Sequence, residues 1–450
     1  MSMKYSLKNL TEEERLLIDK KLTIRVDDPK SKYTKYLPAQ YVYSYRIDDG
    51  NVRIPFAWGL SNISPKRPQR SSFPALNGSL SAHMRPNQIE VFQESIKCLN
   101  KKGSCLLSLP CGFGKTFLAI ALANRIKLRT IVLVNKIVLQ KQWVESIEKF
   151  SDCSVSAVRP ATKAQRQINS KARKKWKNSF SSDFVVINAI NVEKIPQDIL
   201  RSFGTVIVDE CHLIMSKCMS NSLLYIEPRY LIGLSATPYR TDGLNVLLDI
   251  FFSERRITRI LHKPHLVFEV ITKFKPTVEL TRNGTLNWNT ILSSQSESVD
   301  RNNMIVNMTI TLVNLGRTIL ILTKRVKQAQ YLVDELHIRG VVVSGLFGSS
   351  QSFNKKCDVL VGTSSKVGVG FDHSNLDCLI LASDLEQYFI QYLGRVFRNP
   401  NTIPIVVDLI DNHPTLKKHY RTRKKTYTRV GGKVVKCSSP SNVAKHLSNV

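Results

Sequence analysis

The chain has 450 residues, two to three domains' worth, and its 42% hydrophobic and 22% charged content excludes a chain disordered throughout. With 20 Gly, 18 Pro and 9 irregularly spaced Cys, and no C-x-x-C pair, collagen-like, disulfide-framework and zinc-ribbon compositions are excluded too. Lys and Arg number 66 against 35 Asp and Glu, a formal net charge of +31, which points to a polyanionic partner: nucleic acid first, an anionic membrane surface second.

The N-terminal stretch, residues 1–21, meets charge too early for a secretory signal. No apolar run approaches the roughly 18 residues a spanning helix needs, so no membrane partner is expected. Together with the odd cysteine count, this gives the expectation of an intracellular chain in a reducing compartment. Residues 1–80 read as a polar accessory region, with a turn at Asp48-Asp49-Gly50 inside an alternating stretch, 41–54. Residues 64–72, rich in Ser, Pro and Arg, read as a linker. Apolar runs then follow at 105–109, 130–134, 184–187, 205–208 and 231–234, with helical stretches such as 115–126 and 139–150 between them. Short apolar strands alternating with helices predict a parallel sheet covered on both faces. A second such block has runs at 266–271, 318–322, 341–343, 359–362, 378–381 and 403–407, and a polar stretch, 282–303, with an Asn283-Gly284 turn lies between the blocks. The expected fold class is α/β, with tandem lobes at 81–257 and 258–411. Beyond Asp411 come ten Lys and Arg without an acid, which reads as a basic tail, 412–450.

Residues 106–119 read as strand, loop and helix around Cys111-Gly112-Phe113-Gly114-Lys115-Thr116. Glycines let backbone N–H groups converge on a phosphate, and the helix N-terminus adds partial positive charge. Lys115 is placed to reach the β- and γ-phosphates of a nucleotide and the Thr116 hydroxyl to bind Mg²⁺. The full G-x-x-x-x-G-K-[ST] pattern asks for glycine where Leu109 stands, so the match is partial. Asp209 and Glu210 directly follow the run 205–208, at the strand end where open parallel sheets bind ligands. Asp209 suits Mg²⁺ and Glu210 suits orienting and deprotonating an attacking water. A chance G-x-G-K-T, or two acids opening a surface loop, is the bland alternative for each taken alone.

Together these residues resemble the superfamily 2 helicases and translocases, DExH branch, over roughly 83–411. Arg85-Pro86-Asn87-Gln88 is similar to the Q motif, with Gln88 as reader of the adenine. Lys115 and Thr116 match motif I, Asp209-Glu210-Cys211-His212 motif II, and Ser235-Ala236-Thr237 motif III. The stretch from Asn135 and Lys136 to Gln142 and Trp143 resembles motif Ia, and that around Thr323 resembles motif IV. Gly362-Thr363 with Gly368-Val369-Gly370-Phe371-Asp372 looks like motif V, and Gln391 to Arg398 fits Q-x-x-G-R-x-x-R of motif VI.

The resemblance implies two RecA-like lobes acting on Mg²⁺ and ATP. The nucleotide would contact Gln88, Cys111, Gly112, Phe113, Gly114, Lys115, Thr116 and Asp372, with Arg395 and Arg398 stabilising the transferring phosphoryl group. Nucleic acid would be held through its phosphates by Lys136, Gln140, Thr323 and Thr363, and Ser235, Thr237 and Gln391 would couple hydrolysis to movement. Within the superfamily, Pro110-Cys111-Gly112 and Gly233-Leu234-Ser235-Ala236-Thr237-Pro238 are similar to the XPB/UvsW-like, DNA-directed branch. Thr241 departs from that branch's Arg-Glu-Asp at Arg240-Thr241-Asp242. The phosphate loop is also similar to that of the transcript-release helicase of poxviruses and its relatives in other large cytoplasmic DNA viruses.

The implied function is a monomeric ATP-dependent helicase or duplex translocase acting on DNA, in viral transcription beside transcription-machinery proteins, in the host cytoplasm. An RNA helicase is the alternative. A nucleic-acid-binding scaffold with an inactive nucleotide site is the third reading, against which the intact Lys115, Asp209, Glu210, Arg395 and Arg398 stand. Outside the motifs, residues 153–182 hold eight cations and no acid, with Trp176 among them. That ring either offers a base-stacking surface or packs beneath a solvated helix.

Overall fold

Every apolar run expected between residues 105 and 234 is a strand of one seven-stranded sheet in the computed structural model. The structure describes residues 1–26, 41–167, 171–216, 222–236, 244–260, 262–282, 284–350, 352–367, 373, 375–385, 389–397, 402–437 and 440–448. The chain divides into two units, 1–259 and 260–450.

In the first unit the sheet is parallel throughout, in the order Arg256–Thr258, Ser104–Ser108, Tyr230–Ser235, Thr205–Val208, Thr130–Val134, Phe184–Asn188, Val155–Val158. Its central strands are buried on both faces, which is why they read as unbroken apolar runs. The two edges, Arg256–Thr258 and Val155–Val158, are short and partly exposed, and carry no such run. The helix Lys115–Ile126 is buried nearly all round, as its apolar composition requires. From Ser104–Ser108 the chain skips to Thr130–Val134, builds outward to the edge, and returns to insert Thr205–Val208 and Tyr230–Ser235 in the gap. Such a reversal opens a crevice at the C-terminal ends of the strands.

The N-terminal region packs into this unit's core. Ser2–Ser6 pairs antiparallel with Asn51–Pro55, and Met1, Leu22, Ile54 and Phe56 share a hydrophobic cluster with Leu224 and Phe252. The expected turn is a two-residue hairpin in which Asp49 and Gly50 take φ of 47° and 70°, the geometry that matches strand twist. Residues 64–72, expected as a linker, instead form a strap. Arg67 donates to the carbonyls of Leu99 (3.0 Å) and Asn100 (2.9 Å), near the end of the helix Pro86–Lys102. Arg70 donates to Ile126 at the end of Lys115–Ile126. Cations at helix C-termini meet unpaired carbonyls and the negative pole of the dipole.

The second unit holds another all-parallel seven-stranded sheet, ordered Val343–Leu346, Val359–Thr363, Ile319–Thr323, Cys378–Leu381, Ile405–Ile410, His265–Ile271, Gly432–Cys437. Tandem RecA-like lobes are consistent with these two sheets. The run at 341–343 yields a strand only from Val343, where pairing with Val359–Thr363 begins. The polar stretch 282–303, expected between the blocks, lies inside this unit after the strand His265–Ile271 and enters two helices, Trp288–Glu297 and Val299–Asn314. Its polarity serves burial: Asp411 accepts from Gln295 Nε2 (2.6 Å), Arg301 Nε (3.0 Å) and Thr272 Oγ1 (2.6 Å).

The segment expected as a basic tail, 412–450, belongs to this unit. Helix Pro414–Arg429 leads into Gly432–Cys437, which lies beside His265–Ile271 at the sheet edge. Arg423, 2% exposed, grips Asp408 with Nε and a terminal nitrogen (both 2.8 Å) and donates to Asp384 (2.9 Å). Tyr427 donates to Asp408 (2.8 Å), while His419 pairs with Asp384 at 2.6 Å. Among the described residues, all eight cysteines are free thiols, and no helix is long and apolar enough to cross a membrane.

Candidate nucleotide site

The strand Ser104–Ser108 ends in the loop 109–114, and Gly114 caps the helix that Lys115 opens. Gly112 and Gly114 adopt φ of 80° and 95°, where a side chain would be strained. Leu109 stands where the usual pattern has glycine because the position is still strand-like. Its side chain is buried and its N–H donates to the Ser235 carbonyl (3.0 Å). Lys115 Nζ donates to the carbonyls of Leu109 (3.1 Å) and Pro110 (3.5 Å), so the ammonium lies inside the loop.

The loop is braced from the helix Pro86–Lys102. Gln88, 2% exposed, accepts from the Arg85 N–H (2.9 Å) and donates to the Phe113 carbonyl (2.8 Å). The Arg85 guanidinium donates to the carbonyls of Gly112 (3.2 Å) and Phe113 (2.6 Å). A Cβ on Gly114 would come within 2.4 Å of Gln88 Nε2. Gln88, expected as the adenine reader, therefore has both amide groups engaged with the protein.

Asp209 and Glu210 leave the strand Thr205–Val208 at the same end of the sheet. Asp209 Oδ2 accepts from the Trp143 indole (2.9 Å) and Oδ1 from the Glu210 N–H (3.0 Å). Burial, and then the Glu210 carboxylate, push the Asp209 carboxyl up to about 6, against the pull of the Trp143 hydrogen bond and Lys115. Glu210 sits at φ 44°, ψ 50°, a left-handed conformation that costs a non-glycine residue energy and concentrates at functional sites. Its Oε2 has no hydrogen-bond donor among the described residues, only His212 Nδ1 at ion-pair distance, 3.4 Å. The same nitrogen lies 2.9 Å from Ser235 Oγ, joining the two carboxylates' loop to the next strand. A phosphate-wrapping loop, a lysine and two adjacent carboxylates, one with an oxygen lacking a donor, fit a nucleotide with its divalent cation.

The Type III restriction enzyme res-subunit family matches residues 81–240, the span that holds these groups. Over 407 residues the chain is 41% identical to "Putative helicase 161L" of Invertebrate iridescent virus 6, covering 86% of this chain and 90% of that one. It is 32% identical over 389 residues to "Putative helicase 055L" of Frog virus 3 (isolate Goorha), covering 85% of each. The chain belongs to this viral helicase family. The helicase also shares its fold with S. cerevisiae Dbp5 bound to RNA and ADP BeF3, at TM-score 0.53 and 12% identity, over 81% of this chain and 97% of that one.

Other residues expected to act in this helicase are placed less simply. Lys136 is exposed at the end of Thr130–Val134, just before the helix Ile137–Phe150. Gln140, expected on nucleic acid, is 5% exposed and donates to the carbonyls of Val158 (3.2 Å) and Val186 (3.3 Å), tying two strands together. Thr323 and Thr363 pair in register at neighbouring strand ends in the second unit, and both are buried; Thr363 Oγ1 lies 3.3 Å from Ser365 Oγ, while Thr323 Oγ1 has no hydrogen-bond partner among the described residues. Arg395 is buried in the helix Phe389–Val396, whose Tyr392 donates to the Ser364 carbonyl (2.7 Å). Thr237, Asp372, Arg398 and the Gln391 side chain lie outside the described residues. Trp176 is 8% exposed, donates to the Arg159 carbonyl (3.0 Å) and meets Phe180 edge-on, so it packs as core and stacks no base. Reading by motif missed one contact: Trp143 lies in the motif Ia stretch, but nothing in its spacing pairs it with Asp209.

Proposed function

We propose that the chain is an ATP-driven nucleic-acid motor, a helicase or duplex translocase, whose hydrolytic site is the crevice of the first unit. The observation that carries this reading is the pair Asp209 and Glu210 at the strand end, Asp209 fixed by Trp143 and Glu210 held in a strained conformation with a carboxylate oxygen to spare. The backbone N–H groups of 112–116 and Lys115 bind the phosphates, Lys115 exchanging the loop carbonyls for phosphate oxygens. Thr116 and Asp209 would hold a Mg²⁺ ion, which would supply charge neutralisation at those oxygens. Glu210 orients the attacking water and takes its proton. Gln88 and Arg85 keep the loop in its binding shape, and Arg395 is the described candidate for the arginine that steadies phosphoryl charge. Lys136 is the exposed contact to the nucleic-acid backbone in the first unit. The lobes are assigned to 81–257 and 258–411, with 412–450 completing the second.

DNA is the favoured substrate, on the likeness of 110–116 and 233–238 to the DNA-directed branch. The relatives support a viral setting, and the role in viral transcription rests on the likeness of the phosphate loop to the transcript-release helicase of poxviruses. Steady-state ATPase measured with single- and double-stranded DNA and RNA tests the reading. Stimulation is expected, greatest with DNA, and Lys115→Ala should abolish it while leaving nucleotide-free nucleic-acid affinity unchanged. A Lys115→Ala protein that hydrolyses ATP at the wild-type rate would remove the phosphate-loop assignment.

A further inference from the structure

The crossover between Val155–Val158 and Phe184–Asn188 holds the densest run of positive charge in the first unit. Residues 153–182 carry Arg159, Lys163, Arg166, Lys171, Arg173, Lys174, Lys175 and Lys177 without one acid. Within it, the helix Lys171–Asn178 turns Trp176 into the core and leaves Lys171, Lys174, Lys175 and Asn178 exposed. Those positions, spaced i, i+3, i+4 and i+7, form a single stripe along the helix. Among the described residues, Lys163, Lys171, Lys174 and Lys175 make no ion pair, whereas the half-buried Lys177 meets Asp198 at 3.7 Å. Like charges at this spacing repel and weaken a helix, and eight residues are too few for a stable helix on propensity alone. The indole clamp to Arg159 and Phe180 holds the helix in place, with its unneutralised lysines facing outward.

The position of this crossover matters as much as its charge. In the parallel sheet, Arg159 leaves Val155–Val158 at the end where Lys136 follows Thr130–Val134. Only Phe184–Asn188 lies between those strands, so the step from Lys136 to Arg159 is two strand spacings, about 10 Å.

We propose that Lys171, Lys174 and Lys175, with Lys163 and Arg159, form a second grip on the sugar–phosphate backbone of a nucleic-acid duplex, continuing outward the path that Lys136 begins. The path rests on the proposed function; the charge stripe stands apart from it. The occupant is a duplex because the one aromatic ring in the helix is buried. Single-strand sites stack bases on exposed rings, whereas a duplex presents only phosphates to a row of cations. The exposed face of the helix bears no apolar side chain to enter a lipid surface.

The test is a salt titration of binding by the full chain and by its K171Q/K174Q/K175Q variant, on a blunt duplex, on one of its strands and on anionic phosphatidylserine vesicles. Each lost duplex contact flattens log K against log salt by about 0.9, so the slope on the duplex should fall in magnitude by roughly two to three, with little change on the single strand. ATPase without nucleic acid, and the rate at saturating duplex, should be unchanged while the duplex KM rises. An unchanged duplex slope, an equal loss on the single strand, or a loss confined to anionic phosphatidylserine vesicles would each overturn the proposal. If the wild type shows no nucleic-acid-stimulated ATPase yet its duplex slope responds to the variant, the motor reading fails and the grip stands.

Discussion

Trp143 shows how much of a site can hang on one hydrogen bond. Asp209 is buried beside a second carboxylate, an arrangement that raises its pKa and leaves its orientation to whatever donors it finds. The indole N–H supplies one and fixes Oδ2, much as the outer partners of a metal site fix its ligands. Trp143→Phe keeps a ring in the core and removes only the donor. The Mg²⁺ concentration for half-maximal ATPase should then rise about 10- to 100-fold, with nucleic-acid affinity unaltered. A wild-type Mg²⁺ dependence in that variant would make Trp143 a packing residue and nothing more. At this scale the sequence discloses residue types but not their surroundings. Lys115, Asp209 and Glu210 are legible because their chemistry has few substitutes. Gln88, Gln140, Thr323 and Thr363 are polar residues at motif positions whose described atoms are buried or bonded within the protein, and burial cannot be read from a motif.

Helix Pro414–Arg429 is where composition misleads most. Its cations suggest a solvated arm, yet Arg423 lies between Asp408 and Asp384, and Lys424 bonds Glu269 at 2.9 Å. Those carboxylates belong to two strands and a loop, 15, 39 and 155 residues from their partners along the chain, so no helical spacing could pair them with the helix. Gly432–Cys437 was equally hidden: an edge strand bearing Lys433 and Lys436 looks polar because lysines protect an exposed edge from stray pairing. Central strands, buried on both faces, have no such ambiguity, and that is why they were legible. Replacing Arg423 with Met leaves two buried carboxylates short of a partner, which costs about 3–5 kcal/mol. Urea unfolding of the full chain followed by circular dichroism should show the loss. A transition that does not move would mean Asp408 and Asp384 are satisfied by Tyr427 and His419 alone.

Across the whole molecule, two parallel sheets supply the same resource, a row of strand ends open to ligands. In the first sheet the reversal of strand order gathers the phosphate loop, Trp143, Asp209 and Glu210 at that row, and the N-terminal region and the 64–72 strap brace it through contacts that lack sequence signatures. The proposed hydrolysis of ATP in this crevice takes Glu210 as the proton acceptor. It is tested most directly by measuring ATP binding and nucleic-acid-stimulated turnover of Glu210→Gln side by side with the wild type. ATP and Mg²⁺ should still bind the variant while turnover falls by roughly 10²- to 10⁴-fold; turnover near the wild-type rate would rule Glu210 out as the proton acceptor.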